Sequence, residues 1–321
     1  VRNFWLRLSG FADRRHLLGY SLCLCALQLF LLVSPAFSAE QVAVIYPEIS
    51  STYKEVFDKI LAGIQTQNGF TFHLYPLAKD FKINQLHDNL HTDRVAGVIA
   101  LGKRGYLAAK KLPGDLPTVY GALPLVPNGI SGISLSADPQ KLFQRLKILV
   151  PDAKRIFVVY SPNSNGWLMP LAEQAARNIG LDLQTFPADN LRDAMHQYRQ
   201  LLQNIHGREN TIWLPLDQIT ANDDVVLPML LREAWDKDLV ICSSKPSQVQ
   251  RGALFSMYPD NFGLGQDLAK LLNRQLTNKI KASVKPLGKL QIAVNLRTAA
   301  HLDLSYNPNQ QQEFNLTFPS R

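Results

Sequence analysis

Lys154–Gly180, KRIFVVYSPNSNGWLMPLAEQAARNIG, reads as a strand, a polar turn and a helix in immediate succession. Arg155–Tyr160 is a short β-branched and aromatic run. It is too short for a helix and apolar enough to be buried on both faces, which predicts a place inside a parallel sheet. Ser161, Pro162, Asn163, Ser164, Asn165 and Gly166 stop the strand and offer capping side chains to a helix starting near Trp167. Pro170 fits the first turn of that helix and Gly180 its C′ position. A strand that hands its polar turn to a helix leaves backbone N–H groups at the carboxyl edge of the sheet, where α/β proteins bind ligands.

The same unit recurs in both directions. Upstream, strands are expected at Val42–Tyr46, Phe70–Tyr75, Val95–Leu101, Thr118–Gly121 and Gly132–Leu135. Between them lie helices at Tyr53–Gln67 (apolar face Val56, Phe57, Ile60, Leu61, Ile64), at Ile83–His91 and, after the turn Gly102-Lys103-Arg104-Gly105, on to Leu112. Asp138-Pro139 starts a second series, with Leu142, Phe143, Leu146 and Leu149 on one helical side. Past the central stretch come strands at Leu183–Phe186, Thr211–Leu214, Leu239–Cys242, Ala253–Met257 and Leu290–Val294. Helices Leu191–Gln203, Asp223–Trp235 and Asn261–Leu276 separate them. This alternation predicts an α/β protein of two Rossmann-like, doubly wound parallel-sheet lobes.

The first 39 residues have a different composition. Arg7, Arg14, Arg15 and His16 precede an apolar run, Leu17–Val33, and then Ser34-Pro35-Ala36-Phe37-Ser38-Ala39. That is the pattern of a cleavable export signal over residues 1–38, cut after Ser38. The alternative is an uncleaved membrane anchor, since the run approaches the roughly 17-residue lower limit of a spanning helix. Cys23 and Cys25 lack a preceding small residue, which argues against lipid attachment. Removing residues 1–39 takes away four arginines and one aspartate, so the formal charge falls from +8 to +5. With no Lys/Arg block and no aromatic platform, a nucleic-acid partner is not expected. Cys242 is then the remaining cysteine, so a hydrophobic core and not a disulfide must hold the fold.

No nucleophile elbow, P-loop or zinc-peptidase helix occurs, and Gly263-Leu264-Gly265 lacks the third glycine of a dinucleotide loop. No catalytic residue and no cofactor is therefore expected. His87 and His91, four apart with Asp88 and Asp93 nearby, would fill only half a tetrahedral metal shell and read better as a solvated helix face. The polar residues after the strands are the stronger signal. In the first half these are Tyr46, Glu48, Lys103, Arg104 and Tyr120; in the second, Asn163, Ser164, Asn165, Asp217, Thr220, Ser243 and Ser244. Two lobes facing each other at their carboxyl edges would gather these turns around one cleft; taken singly, each of these residue types serves equally well as a helix cap. Trp167, beside the Asn/Ser turn, fits either a ligand contact or a sheet-to-helix filler, whereas Trp213 lies within its strand and reads as core.

Several motifs in order carry a resemblance. LKILVPDAKRIFVVYSPNSN (146–165), Arg177-Asn178-Ile179-Gly180-Leu181, Leu214-Pro215-Leu216-Asp217, Val249–Leu254, Tyr258–Gly265 and Val294–Ala299 are similar to the ABC transporter substrate-binding proteins that include tryptophan-binding lipoproteins. The similarity spans about Leu146 to Leu304 and is weak before it. It implies the type I periplasmic binding protein fold, two lobes joined by three crossovers and closing on a small molecule. The lobes would comprise 39–137 with about 258–285, and 138–257 with about 286–304, followed by a loosely held polar tail, 305–321. The implied partners are a small-molecule ligand and the membrane permease of an uptake system, or a membrane receptor if the protein senses its ligand. Where the family usually has a Gly-Thr-Pro turn, this chain has Gly102-Lys103-Arg104. An arginine there suits a carboxylate, so the expected ligand is small and polar, with an anionic group or an amino-acid character.

Overall fold

The computed structural model describes residues 39–48, 53–278 and 280–319. The leader read over residues 1–38 lies outside them. From Glu40 onward the described chain forms one compact unit.

Six strands make the first sheet: β1 (Glu40–Pro47), β2 (Phe70–Leu77), β3 (Gly97–Leu101), β4 (Thr118–Gly121), β5 (Ser131–Ala137) and β11 (Val284–Leu287). Their spatial order is β11-β5-β4-β3-β1-β2, and every pair is parallel. Val42–Ile45 and Val98–Leu101 are wholly buried, as unbroken apolar runs in parallel strands should be. Helices α1 (Lys54–Gln65), α2 (Ile83–Thr92) and α3 (Gly102–Ala109) connect the strands, and separate apolar clusters cover the two faces.

The second sheet holds β6 (Arg155–Tyr160), β7 (Asp182–Pro187), β8 (Asn210–Leu214), β9 (Val240–Ser243), β10 (Phe255–Pro259), β12 (Leu290–Asn295) and β13 (Leu316–Phe318). Its order is β13-β12-β10-β9-β8-β6-β7. The β10–β12 pair is antiparallel, so β12 and β13 run against the remaining strands. Helix α4 (Pro139–Leu149) enters this sheet, with Asp138 accepting from the Gln140 amide at 2.9 Å as its cap. Trp213 is 1% exposed and meets Phe143 edge to face, so it is core, as read from its place in the strand.

The chain passes between the sheets three times, before α4, after β10 and between β11 and β12. The second passage runs through α10 (Asn261–Asn278), the tenth α-helix among the described residues, which lies on α1. Gly63 and Gly265 allow this contact: a Cβ on Gly63 would fall 2.0 Å from the Phe262 carbonyl oxygen, and one on Gly265 2.1 Å from that of Ile60. Gly265 of Gly263-Leu264-Gly265 therefore serves backbone approach between helices, while Gly263 is crowded by the side chains of Asp260 and Lys289.

Three local readings are corrected. The turn Pro162–Asn165 is itself one turn of helix (α5), followed by a 3₁₀ turn, Gly166–Leu168, and then α6 (Met169–Asn178). Neither α5 nor α6 has a side-chain cap, so the Ser and Asn residues there do not cap the helix near Trp167. β11 went unread because Val284–Leu287 contains a lysine and a proline and gains its place only by pairing with β5. The segment after Leu304 is not a loose tail: Asn307 and Gln310 form a capping box on helix Pro308–Gln312, and β13 adds to β12. Tyr306 and Phe314, each 9% exposed, pack edge to face at 5.4 Å in the second core. The polar, turn-rich stretch between them carries no sustained apolar pattern, so only the tertiary fold identifies them as buried.

Candidate ligand-binding site

Because β6 pairs with β8 in parallel, the turns that follow them are neighbours at one edge of the second sheet. Asp217 joins them. Its Oδ2 accepts from the Ser161 amide at 2.9 Å, the Asn165 side-chain amide at 3.0 Å and the Ser164 hydroxyl at 3.2 Å. Its Oδ1 accepts from the amides of Ile219 at 2.8 Å and Thr220 at 3.1 Å. Burial by itself would raise the Asp217 pKa, but the donors from Ser161, Thr220, Ile219 and Asn165 outweigh it and hold the carboxyl below its ordinary value. A carboxylate offers about four lone-pair sites. Those of Asp217 are spent inside the chain, so it positions the turns and is not left to receive a ligand's amine.

The other second-sheet residues divide by exposure. Thr220 and Ser243 are wholly buried. Thr220 accepts the Tyr198 hydroxyl through its carbonyl, and Ser243 donates to the Gln248 side chain and accepts from the Lys245 amide at 2.9 Å. Both build the edge from within. Ser244 is half-buried, with its hydroxyl 3.4 Å from the Leu214 carbonyl, and Asn163 is exposed. Asn165 is 1% exposed; its Oδ1 has no partner, and neither has the buried Nε1 of Trp167. Trp167 is half-buried and packs against the core, so the filler role is met, while its indole N–H remains unused.

At the carboxyl edge of the first sheet, β1, β3 and β4 lie side by side. Tyr46, next to last in β1, stacks on Phe57, with ring centroids 6.4 Å apart. The backbone of Glu48 donates to the Leu77 carbonyl at 2.8 Å, and the Arg104 guanidinium donates to the same oxygen at 2.6 Å. Arg104 is thus half-buried and fixed, while Lys103 and the Glu48 side chain are exposed. Tyr120 is 6% exposed beneath Tyr106, with ring centroids 5.2 Å apart, so Tyr106 covers it.

Sequence reading missed Asp223, Gln248 and Tyr106. The Gln248 side-chain amide donates to Asp223 Oδ1 at 2.6 Å, and Lys245 lies 2.9 Å from Asp223 Oδ2, which together lock the turn after β8 to the helix after β9. Gln248 lies in a polar helix, Pro246–Arg251, whose sequence alone gives no sign that this glutamine is buried. The described residues contain no cluster of three metal-ligating side chains, and none of their helices is long and apolar enough to cross a membrane.

Two parallel-dominated α/β sheets with polar turns at their carboxyl edges define a type I periplasmic binding protein-like architecture. Residues 126–312 match the family model of the ABC transporter substrate binding protein, and the chain belongs to that family. Solved structures agree on the fold. The ABC domain in complex with L-Trp from Streptococcus pneumonia is 16% identical, with a TM-score of 0.52 over 88% of this chain and 100% of that one. CD0873 from Clostridium difficile, a substrate binding protein with adhesive properties in a ligand-free, open structure, is 14% identical, with a TM-score of 0.58 over 88% and 100%. A conserved domain protein from Vibrio cholerae is 17% identical, with a TM-score of 0.51 over 87% and 99%. No curated protein sequence matches the chain.

Proposed function

We propose that the protein is an exported, non-enzymatic solute-binding protein of an ABC-type uptake system, and that it closes by hinge motion on a small amino-acid-like ligand between its two sheets. The observation that carries this reading is the set of ordered polar turns at the carboxyl edges of both sheets, in a chain of the substrate-binding family. In the first lobe, Arg104 is pinned to the Leu77 carbonyl and pairs with no carboxylate among the described residues, which suits it to a ligand's anionic group. In the second, α5 is one turn long and its donors already serve Asp217, so a helix dipole for an anion is lacking. The unpartnered Asn165 Oδ1, next to the Asp217 charge, favours a donor such as an ammonium group instead. A zwitterion satisfies both ends.

Calorimetry over amino acids, amines and carboxylates, paired with solution scattering, tests this. Saturable binding of a zwitterion with compaction is expected. Absence of compaction with any bound solute would refute closure, and preferential binding of a neutral solute unaffected by Arg104→Ala would refute the charge assignment. Export is tested by the mass of the protein recovered outside the cytoplasm, which should begin at Ala39. A requirement for a permease in solute uptake, measured in cells, separates transport from sensing.

A further inference from the structure

A second concavity lies at the opposite edge of the second sheet, where β12 ends and β10 begins, away from the turns described above. Its volume is about 700 Å³, within the range of pockets that hold drug-sized molecules. Three arginines line it, Arg232 from helix α8 (Val226–Asp236), Arg251 from the end of helix α9 (Pro246–Arg251) and Arg297 from helix α11 (Leu296–His301), and no carboxylate among the described residues does. Arg251 is held by the Asp223 carbonyl at 2.6 Å. Among the described residues, Arg232 has no ion pair or hydrogen bond, and the contact of Arg297 is the Trp235 ring, with its guanidinium carbon 5.8 Å from the centroid.

The floor is rigid. The Asn295 amide donates to the Val249 carbonyl at 2.8 Å and its oxygen accepts from the Thr298 amide at 3.0 Å, while the Thr298 hydroxyl donates to the Gly252 carbonyl at 3.0 Å. One wall is Trp235, 42% exposed although aromatic. His301 stacks on its indole with centroids 3.6 Å apart and lines a smaller cavity behind it that excludes Arg297. The indole is therefore braced from behind, with Arg297 on the side of the larger concavity. Phe318 from β13 adds a second aromatic surface to the lining.

Unpaired guanidinium groups beside a braced indole select an oxyanion attached to a flat ring. We infer that this concavity is a second small-molecule site, separate from the cleft between the sheets, for a ring-bearing phosphate or carboxylate. All its residues belong to elements of the second sheet, so binding there requires no closure.

The test is calorimetry on the intact protein with adenosine monophosphate, 1-naphthoate, adenosine and inorganic phosphate. It is repeated with Arg232→Gln, Arg297→Gln and the double variant, after melting curves show each folded. Saturable binding of either ring-bearing anion is expected, at least about tenfold tighter than adenosine or phosphate and weakened about tenfold by each single substitution. Solution scattering should show no compaction. A preference for the phosphate or the carboxylate probe identifies the anion. Undiminished binding in the double variant, equal affinity for adenosine or inorganic phosphate, or no saturable binding of any probe up to about 10 mM overturns the assignment. Amino-acid binding in the cleft is read separately by compaction, so either site can fail without the other.

Discussion

Asn165 donates to the carboxylate of Asp217 across 3.0 Å, and this bond joins two βα turns that lie 52 residues apart in the chain. The aspartate also takes donors from Ser161, Ser164, Ile219 and Thr220, so one carboxylate fixes the shape of the second sheet's carboxyl edge. Asp217→Ala leaves several buried donors without an acceptor, each lost partner costing about 1–3 kcal/mol before the structure relaxes. Urea unfolding should show a loss of about 3 kcal/mol, and ligand affinity should fall because the turns lose their geometry. A variant as stable as the parent would show that water replaces the carboxylate without cost.

The same carboxyl sets a pH dependence. Its folded-state pKa lies below its ordinary value, because the amide donors outweigh burial, so the unfolded chain binds more protons than the folded one in that window. The stabilisation is present above the ordinary carboxylate range and is lost as the pH falls through the folded value. Asp223 has the same sign: burial raises it, but the hydrogen bonds from Gln248 and Lys245 and the charges of Lys245 and Arg251 outweigh burial and hold it below its ordinary value. Melting temperature against pH should fall steeply on the acid side, and Asp217→Asn should flatten that limb while lowering stability at neutral pH.

Gly265→Val tests the helix contact that ties the second crossover to the first sheet. The new side chain starts 2.1 Å from the Ile60 carbonyl oxygen, backbone that cannot move aside cheaply. A loss of about 3 kcal/mol is expected by chemical denaturation, at the upper end of ordinary overpacking costs. A neutral result would mean that α10 is free to shift on α1.

Phe143→Ala removes a fully buried ring that packs edge to face on Trp213 at 5.4 Å. The expected cost is about 3–5 kcal/mol, with a change in near-ultraviolet circular dichroism from the indole. Both readouts are needed, since Trp213 alone reports the local packing.

Arg104→Ala removes the guanidinium held by the Leu77 carbonyl, and the half-buried site limits the stability loss to about 1 kcal/mol. Affinity for a zwitterionic ligand should drop about tenfold or more, with affinity for the corresponding amine unchanged. Equal losses for both ligands would assign Arg104 to turn geometry and not to the anionic group.

The chain by itself determined the alternation of strands and helices, because short apolar runs such as Ile156–Tyr160 and Val98–Leu101, separated by amphipathic helices, suit strands covered on both faces of a parallel sheet. It also brought the polar turns to the carboxyl edges, since each follows its strand directly. The tertiary structure decided what those turns do. Asp217 has the same residue type whether it faces a ligand or is saturated by its own backbone, and only the pairing of β6 with β8 brings the Ser161 and Asn165 donors to it. β11, broken by a lysine and a proline, and β13, three residues long, cannot be read alone and exist because β5 and β12 offer them an open edge. Tyr306 and Phe314 are core residues for the same reason: their burial depends on a surface supplied by distant parts of the chain.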